Sequence, residues 1–157
     1  MNTPGTKKWQ RGHAMLELAV AISMMTTVLI GTVQFGYAFY AYNQLVTAVG
    51  EGARYAAQRT YRSASEDDLR RGAEAVRNMV IYGNPHPAAD AQPVIPGLQT
   101  ENIEVTWKQK GGAAPEFVGV SVRHFAMNAV FRSFTFDQKP AVEYPFVGRF
   151  APQEKEQ

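Results

Sequence analysis

The sequence predicts an α+β protein, in which a long N-terminal helix able to cross a membrane extends into a small domain with a second helix and a short antiparallel sheet. Three observations carry this prediction. Leu18 to Gly50 contains no charged residue, a run of 33. Apolar residues recur every three or four positions between Glu66 and Tyr82. From Asn102 the apolar period changes to two, as in a half-buried strand.

Length and composition set the frame. A chain of 157 residues has room for one domain, and subtracting a membrane segment leaves about a hundred residues for a core. Mean hydropathy is −0.27, so the apolar residues are concentrated in one place and allow a single span. The net charge of +2 hides an asymmetry: Lys7, Lys8 and Arg11 precede the apolar run with no acid among them, and the remaining charges nearly balance. Later arginines are interleaved with Glu and Asp, which argues against a nucleic-acid footprint. Cysteine is absent, which rules out disulfides, thiol catalysis and cysteine-based zinc sites.

A basic stretch, residues 1–12, gives way to the apolar segment His13 to Val33, whose membrane-crossing part is Met15 to about Val33. As a helix the uncharged run would extend about 50 Å, more than a hydrocarbon core of about 30 Å. Residues 13–62 are therefore expected to span the bilayer and project beyond it, with Gln34, Asn43, Gln44 and Thr47 in the projecting part. Three basic residues precede the span and the next, Arg54, follows about twenty residues after it, so the positive-inside rule keeps the N-terminus in the cytoplasm. A cleaved secretory signal also begins basic and apolar, but its h-region is only about 7–15 residues long.

Glu17 is the one acid between Met1 and Gly50. An acid inside a spanning helix costs about 2.5–3.5 kcal/mol on insertion scales, so it needs a partner, a proton or a place near the interface. Considered alone, Glu17 could simply reach the headgroups. Its context is more specific, because Gly12 stands five positions before it, with basic residues upstream and an apolar helix downstream. This arrangement resembles the type IV prepilin processing site. The resemblance implies cleavage between Gly12 and His13 by a prepilin peptidase. It also implies a subunit contact for Glu17, which would pair with the new amine of an adjacent subunit. His13 stands where classical pilins commonly carry phenylalanine.

The likeness continues from Arg11 to Gln58. Arg11-Gly12, Glu17, Gln34-Phe35-Gly36, the aromatic stretch Tyr37 to Tyr42 and the block Glu51-Gly52-Ala53-Arg54-Tyr55-Ala56 occur in this order. Together they resemble the TadE-like family, minor pseudopilins of tight-adherence (type IVc) pilus systems. The resemblance implies a bacterial inner-membrane protein with a periplasmic C-terminal domain that assembles through its N-terminal helix and can enter an extracellular pilus. Implied partners are other pilin or pseudopilin subunits, the prepilin peptidase and the inner-membrane assembly platform.

Beyond the bilayer, Phe35, Phe39, Tyr42, Val46, Val49, Ala53 and Ala57 form a helical stripe. Such a stripe can pack on the chain's own domain, and part of it, with Ala19, Ala21, Gly31 and Gly36, can pack on neighbouring helices. Phe35, Tyr37, Phe39, Tyr40 and Tyr42 read as an interfacial aromatic belt.

The domain is expected over residues 63–150. Ser65 and Asp68 suggest a helix start at Glu66, and Leu69, Ala73, Val76 and Val80 form its apolar stripe, ending near Gly83. The acids Glu66, Asp67 and Asp68 suit a helix N-terminus and match no EF-hand pattern. Four prolines between Gly83 and Thr100 predict an irregular, exposed loop. Ile103, Val105 and Trp107 should pair in a hairpin with Val118, Val120 and Val122 across a turn at Lys110-Gly111-Gly112. The runs Phe131 to Phe136 and Val142 to Phe146 suggest one or two further strands, the last at an edge because of Pro140 and Pro145. Helix 66–82 should cover one face of the sheet. The tail, residues 151–157, is expected to be disordered.

No catalytic, cofactor-binding or metal site is expected. His13, His86 and His124 fall in three different environments, and Ser121 and Ser133 lack a nucleophile elbow. The sequence thus predicts a structural protein and not an enzyme. The competing reading is an uncleaved, signal-anchored periplasmic binding protein.

Overall fold

The computed structural model describes residues 6–60, 66–108, 115–128 and 133–149. The Ser65 cap, the turn at Lys110-Gly111-Gly112, Phe131 and the tail 151–157 lie outside the described residues. The chain divides between Phe39 and Tyr40 into two units. Helix α1, Thr6–Gln58, contributes to both. It begins upstream of the expected boundary at residue 13, because Lys7 to Arg11 contains no helix breaker and a lone glycine at position 12 costs only about 1 kcal/mol.

The first unit is the α1 segment ending at Phe39. Its large apolar side chains, from Met15 and Leu16 through Val28, Leu29 and Val33, are exposed. Three of its hydroxyls are satisfied locally. Ser23 Oγ donates to the Ala19 carbonyl at 2.8 Å, Thr27 Oγ1 to Ser23 at 2.9 Å and Thr32 Oγ1 to Val28 at 2.9 Å. A helix closed in this way meets the requirement that backbone and side-chain polar groups find partners within the segment.

The second unit is α+β, as predicted. Helix α2, Glu66–Tyr82, ends in an αL cap: Gly83 adopts φ 68° and its N–H donates to the Met79 carbonyl at 2.9 Å. Near its start Arg71 Nη2 donates to Asp68 Oδ1 at 2.5 Å. This bond, and then the charge of Asp68, hold the Arg71 guanidinium above its ordinary range. Strands β1, Ile103–Lys108, and β2, Phe117–Val122, pair antiparallel with Ile103 opposite Val122 and Trp107 opposite Val118. They form the predicted hairpin. Strands β3, β4 and β5 are Phe125–Asn128, Ser133–Phe136 and Ala141–Pro145. The order β1-β2-β5 puts β5 at the edge, while β3 and β4 pair as a separate ribbon. β3 was not anticipated from sequence.

Packing divides the expected stripe on α1 and corrects the expectation for the loop after α2. The buried face of α1 is Ala41, Leu45, Ala48, Val49, Gly52, Ala53, Ala56 and Ala57. Val49, Ala53 and Ala57 belong to the expected stripe, but Phe35 and Phe39 remain about 70 % exposed, at 71 % and 69 %. Small residues win because they permit close approach. At Gly52 a Cβ would collide with Val80 Cγ2 of α2. The loop after α2 contains neither helix nor strand from Gly83 to Gln99, as the prolines predict, yet it is not wholly exposed. Ile95 and Leu98 are buried, and the Val94 N–H donates to the Ile81 carbonyl at 2.7 Å.

α2 packs on β1, and Arg77 Nε donates to the Ile103 carbonyl at 3.2 Å. The sheet's inner face is Ile103, Val118, Val120 and Val122, and these join Leu45, Val49, Val76, Val80 and Ile81 in the core. Its outer face is solvated and carries the Lys108–Glu143 ion pair at 2.8 Å. There Arg123 Nε lies 2.6 Å from Glu104 Oε2, in ionic contact without the alignment of a hydrogen bond.

Candidate functional site

The residues singled out by sequence all lie on α1. Gly12, His13 and Glu17 are helical and exposed. Helical geometry puts His13 and Glu17 one turn apart on the same face. Gly12 lies in the same helix, with no Cβ neighbour that would require a glycine there. The 12–13 peptide bond is itself inside α1.

The glycines of the resemblance therefore divide by cause. Gly12, Gly31, Gly36 and Gly50 face open space within 4 Å, so intramolecular packing explains none of them. Gly52 is explained, because α2 occupies the space a side chain would need. In the block Glu51 to Ala56, Gly52, Ala53 and Ala56 are buried, whereas Glu51 and Arg54 face solvent. Half of that block is thus a packing motif.

The aromatic stretch also divides. Phe35, Tyr37, Phe39 and Tyr40 are exposed. Tyr40 Oη accepts from Gln44 Nε2 at 2.9 Å, and Tyr42 stacks on Phe136 with ring centroids 5.9 Å apart. The stack continues to buried Phe125 at 6.3 Å, so Tyr42 belongs to the domain core's margin as much as to a belt. Sequence reasoning could not see this contact, since its two halves come from distant segments.

One further polar region stands out. An open groove of about 550 Å³ runs over the outer face of the sheet, lined by Glu104, Thr106, Lys108, Ser121, Arg123 and Glu143. Its charges are mutually paired: Glu104 with Arg123, and Lys108 with Glu143. Ser121 Oγ also donates to Glu104 at 3.3 Å. Such a face is stabilised by its own contacts and offers little uncompensated charge to a ligand.

Among the described residues, one helical stretch, Gly12–Gln58, is long and apolar enough to cross a membrane. Its most apolar window has a mean hydropathy of 1.9 and none of that window is buried, unlike the core helix of a soluble protein. The fold therefore defines a chain with one candidate membrane helix and a small α+β domain. Residues 12–54 match the family model described as TadE-like protein, the family that the Arg11 to Gln58 motifs resemble. This family points to the tight-adherence pilus system. Comparison with curated proteins and with solved structures finds no match.

Proposed function

We propose that the chain is a minor pilin or pseudopilin of a tight-adherence pilus or related secretion system, with a structural role and no catalysis of its own. The observation that carries this reading is Gly12. It opens the segment matched by the family, it stands five positions before the lone acid of the apolar run, and nothing in the chain's own packing requires a glycine there. A peptidase that cuts after glycine supplies the missing reason. Processing leaves His13 first and Glu17 fifth.

In this reading the basic residues Lys7, Lys8 and Arg11 hold the N-terminus on the cytoplasmic side, and the α+β domain faces the periplasm. Glu17 pairs with the new amine of a neighbouring pilin or pseudopilin during assembly on the inner-membrane platform. A carboxylate and an ammonium attract far more strongly in hydrocarbon than in water, while an unpaired carboxylate is penalised there.

N-terminal sequencing and intact mass of the protein from its native host, with and without the prepilin peptidase, test the reading. The expected mature chain begins at His13 and reverts to the unprocessed form when the peptidase is removed. A mature chain still beginning at Met1 in the complete host rejects it.

A further inference from the structure

We propose that His13 is the intrachain partner of Glu17, its imidazole N–H donating to the carboxylate one helical turn further on. The two residues are four apart in α1 and both are exposed. At that spacing Cβ atoms lie about 5–6 Å apart, and helical side chains lean toward the N-terminus, which tilts Glu17 toward His13.

Within four residues of Glu17 on either side, His13 is the one residue with a side-chain N–H. Arg11 is six positions back in the sequence, and the next Lys or Arg after Glu17 is Arg54. The hydroxyls of Ser23, Thr27 and Thr32 are committed to carbonyls of the helix itself. The described residues show no ion pair between His13 and Glu17. An exposed carboxylate in water needs none; one in hydrocarbon does. Neutral imidazole offers one N–H and the protonated ring offers two, so either form can serve as donor. A helix paired in this way enters the bilayer with its acid already satisfied, and a neighbour's amine must then compete with His13 for the carboxylate.

This inference rests on the membrane-spanning reading and not on processing, so it is tested on the uncleaved chain. The full chain is made without the peptidase and reconstituted in phosphatidylethanolamine–phosphatidylglycerol vesicles. It carries His86→Gln and His124→Asn, so that His13 is its one imidazole, with ¹⁵N-histidine and ¹³C-glutamate labels. Solid-state dipolar recoupling is expected to show an imidazole–carboxylate contact within about 4 Å. The contact should be lost with Glu17→Gln and should persist when labelled chain is diluted into unlabelled chain. No contact, a contact that survives Glu17→Gln, or one that vanishes on dilution overturns the proposal. Because the sample is never cleaved, any of these results leaves the processing experiment to be decided on its own.

Discussion

Asn102 shows how much a single side chain can organise. Its Nδ2 donates to the carbonyls of Arg123 and His124, each at 3.1 Å, and its Oδ1 accepts from the Gln99 N–H at 3.0 Å. Its own carbonyl accepts from the Arg123 N–H at 2.7 Å. One residue thus joins the end of the proline-rich loop, the start of β1 and the corner between β2 and β3. That corner needs help, since His124 adopts φ 49°, a left-handed conformation available to few residues besides Gly, Asn, Asp and His. Asn102→Ala leaves two carbonyls and an N–H without this partner and should destabilise the domain by about 1–3 kcal/mol in thermal or urea unfolding of the full chain in detergent. Glycines give a paired test at the same scale. Gly52→Ala should destabilise by about 1–3 kcal/mol by overpacking against Val80. Gly50→Ala, two residues away in open space, should stabilise by about 0.5–1 kcal/mol through helix propensity.

At the scale of elements, α1 is two helices in one. Before Phe39 its large side chains face outward; after Tyr40 its small residues and Leu45 face the core. Leu45→Ala should cost about 2–5 kcal/mol in the same unfolding measurement, because Leu45 is fully buried. Phe39→Ala should change it by no more than about 0.5 kcal/mol, since that ring is exposed. Equal effects would show that the buried face has been assigned to the wrong side of the helix. The uncharged run identified α1, periodicity identified α2, β1 and β2, and Pro140 and Pro145 put β5 at an edge. Periodicity could not divide the stripe on α1 between residues that meet the chain's own domain and residues that do not, because hydropathy weights large aromatic rings, whereas a helix seated against α2 needs small side chains. It missed β3 because Phe125 to Asn128 follows a two-residue corner without Gly or Pro, and nothing local signals that the chain leaves one sheet for another.

At the scale of the whole molecule, the proposed function makes Glu17 an assembly residue and not an insertion signal. Glu17→Leu should insert in the membrane as wild type does, since it removes an acid from the apolar run. It should nevertheless fail to copurify with the pilus assembly. Unchanged assembly would mean that the carboxylate merely meets the interface. The features that suggest this candidate site all lie along the chain itself. A basic start, Gly12, Glu17 and an uncharged run are one-dimensional features, since a membrane selects on charge and length along the sequence. Which glycines answer to packing and which do not could not be read there. That distinction, like the role of Asn102 and the pairing of Tyr42 with Phe136, depends on segments far apart in sequence that meet only when the core closes, and close packing in three dimensions decides it.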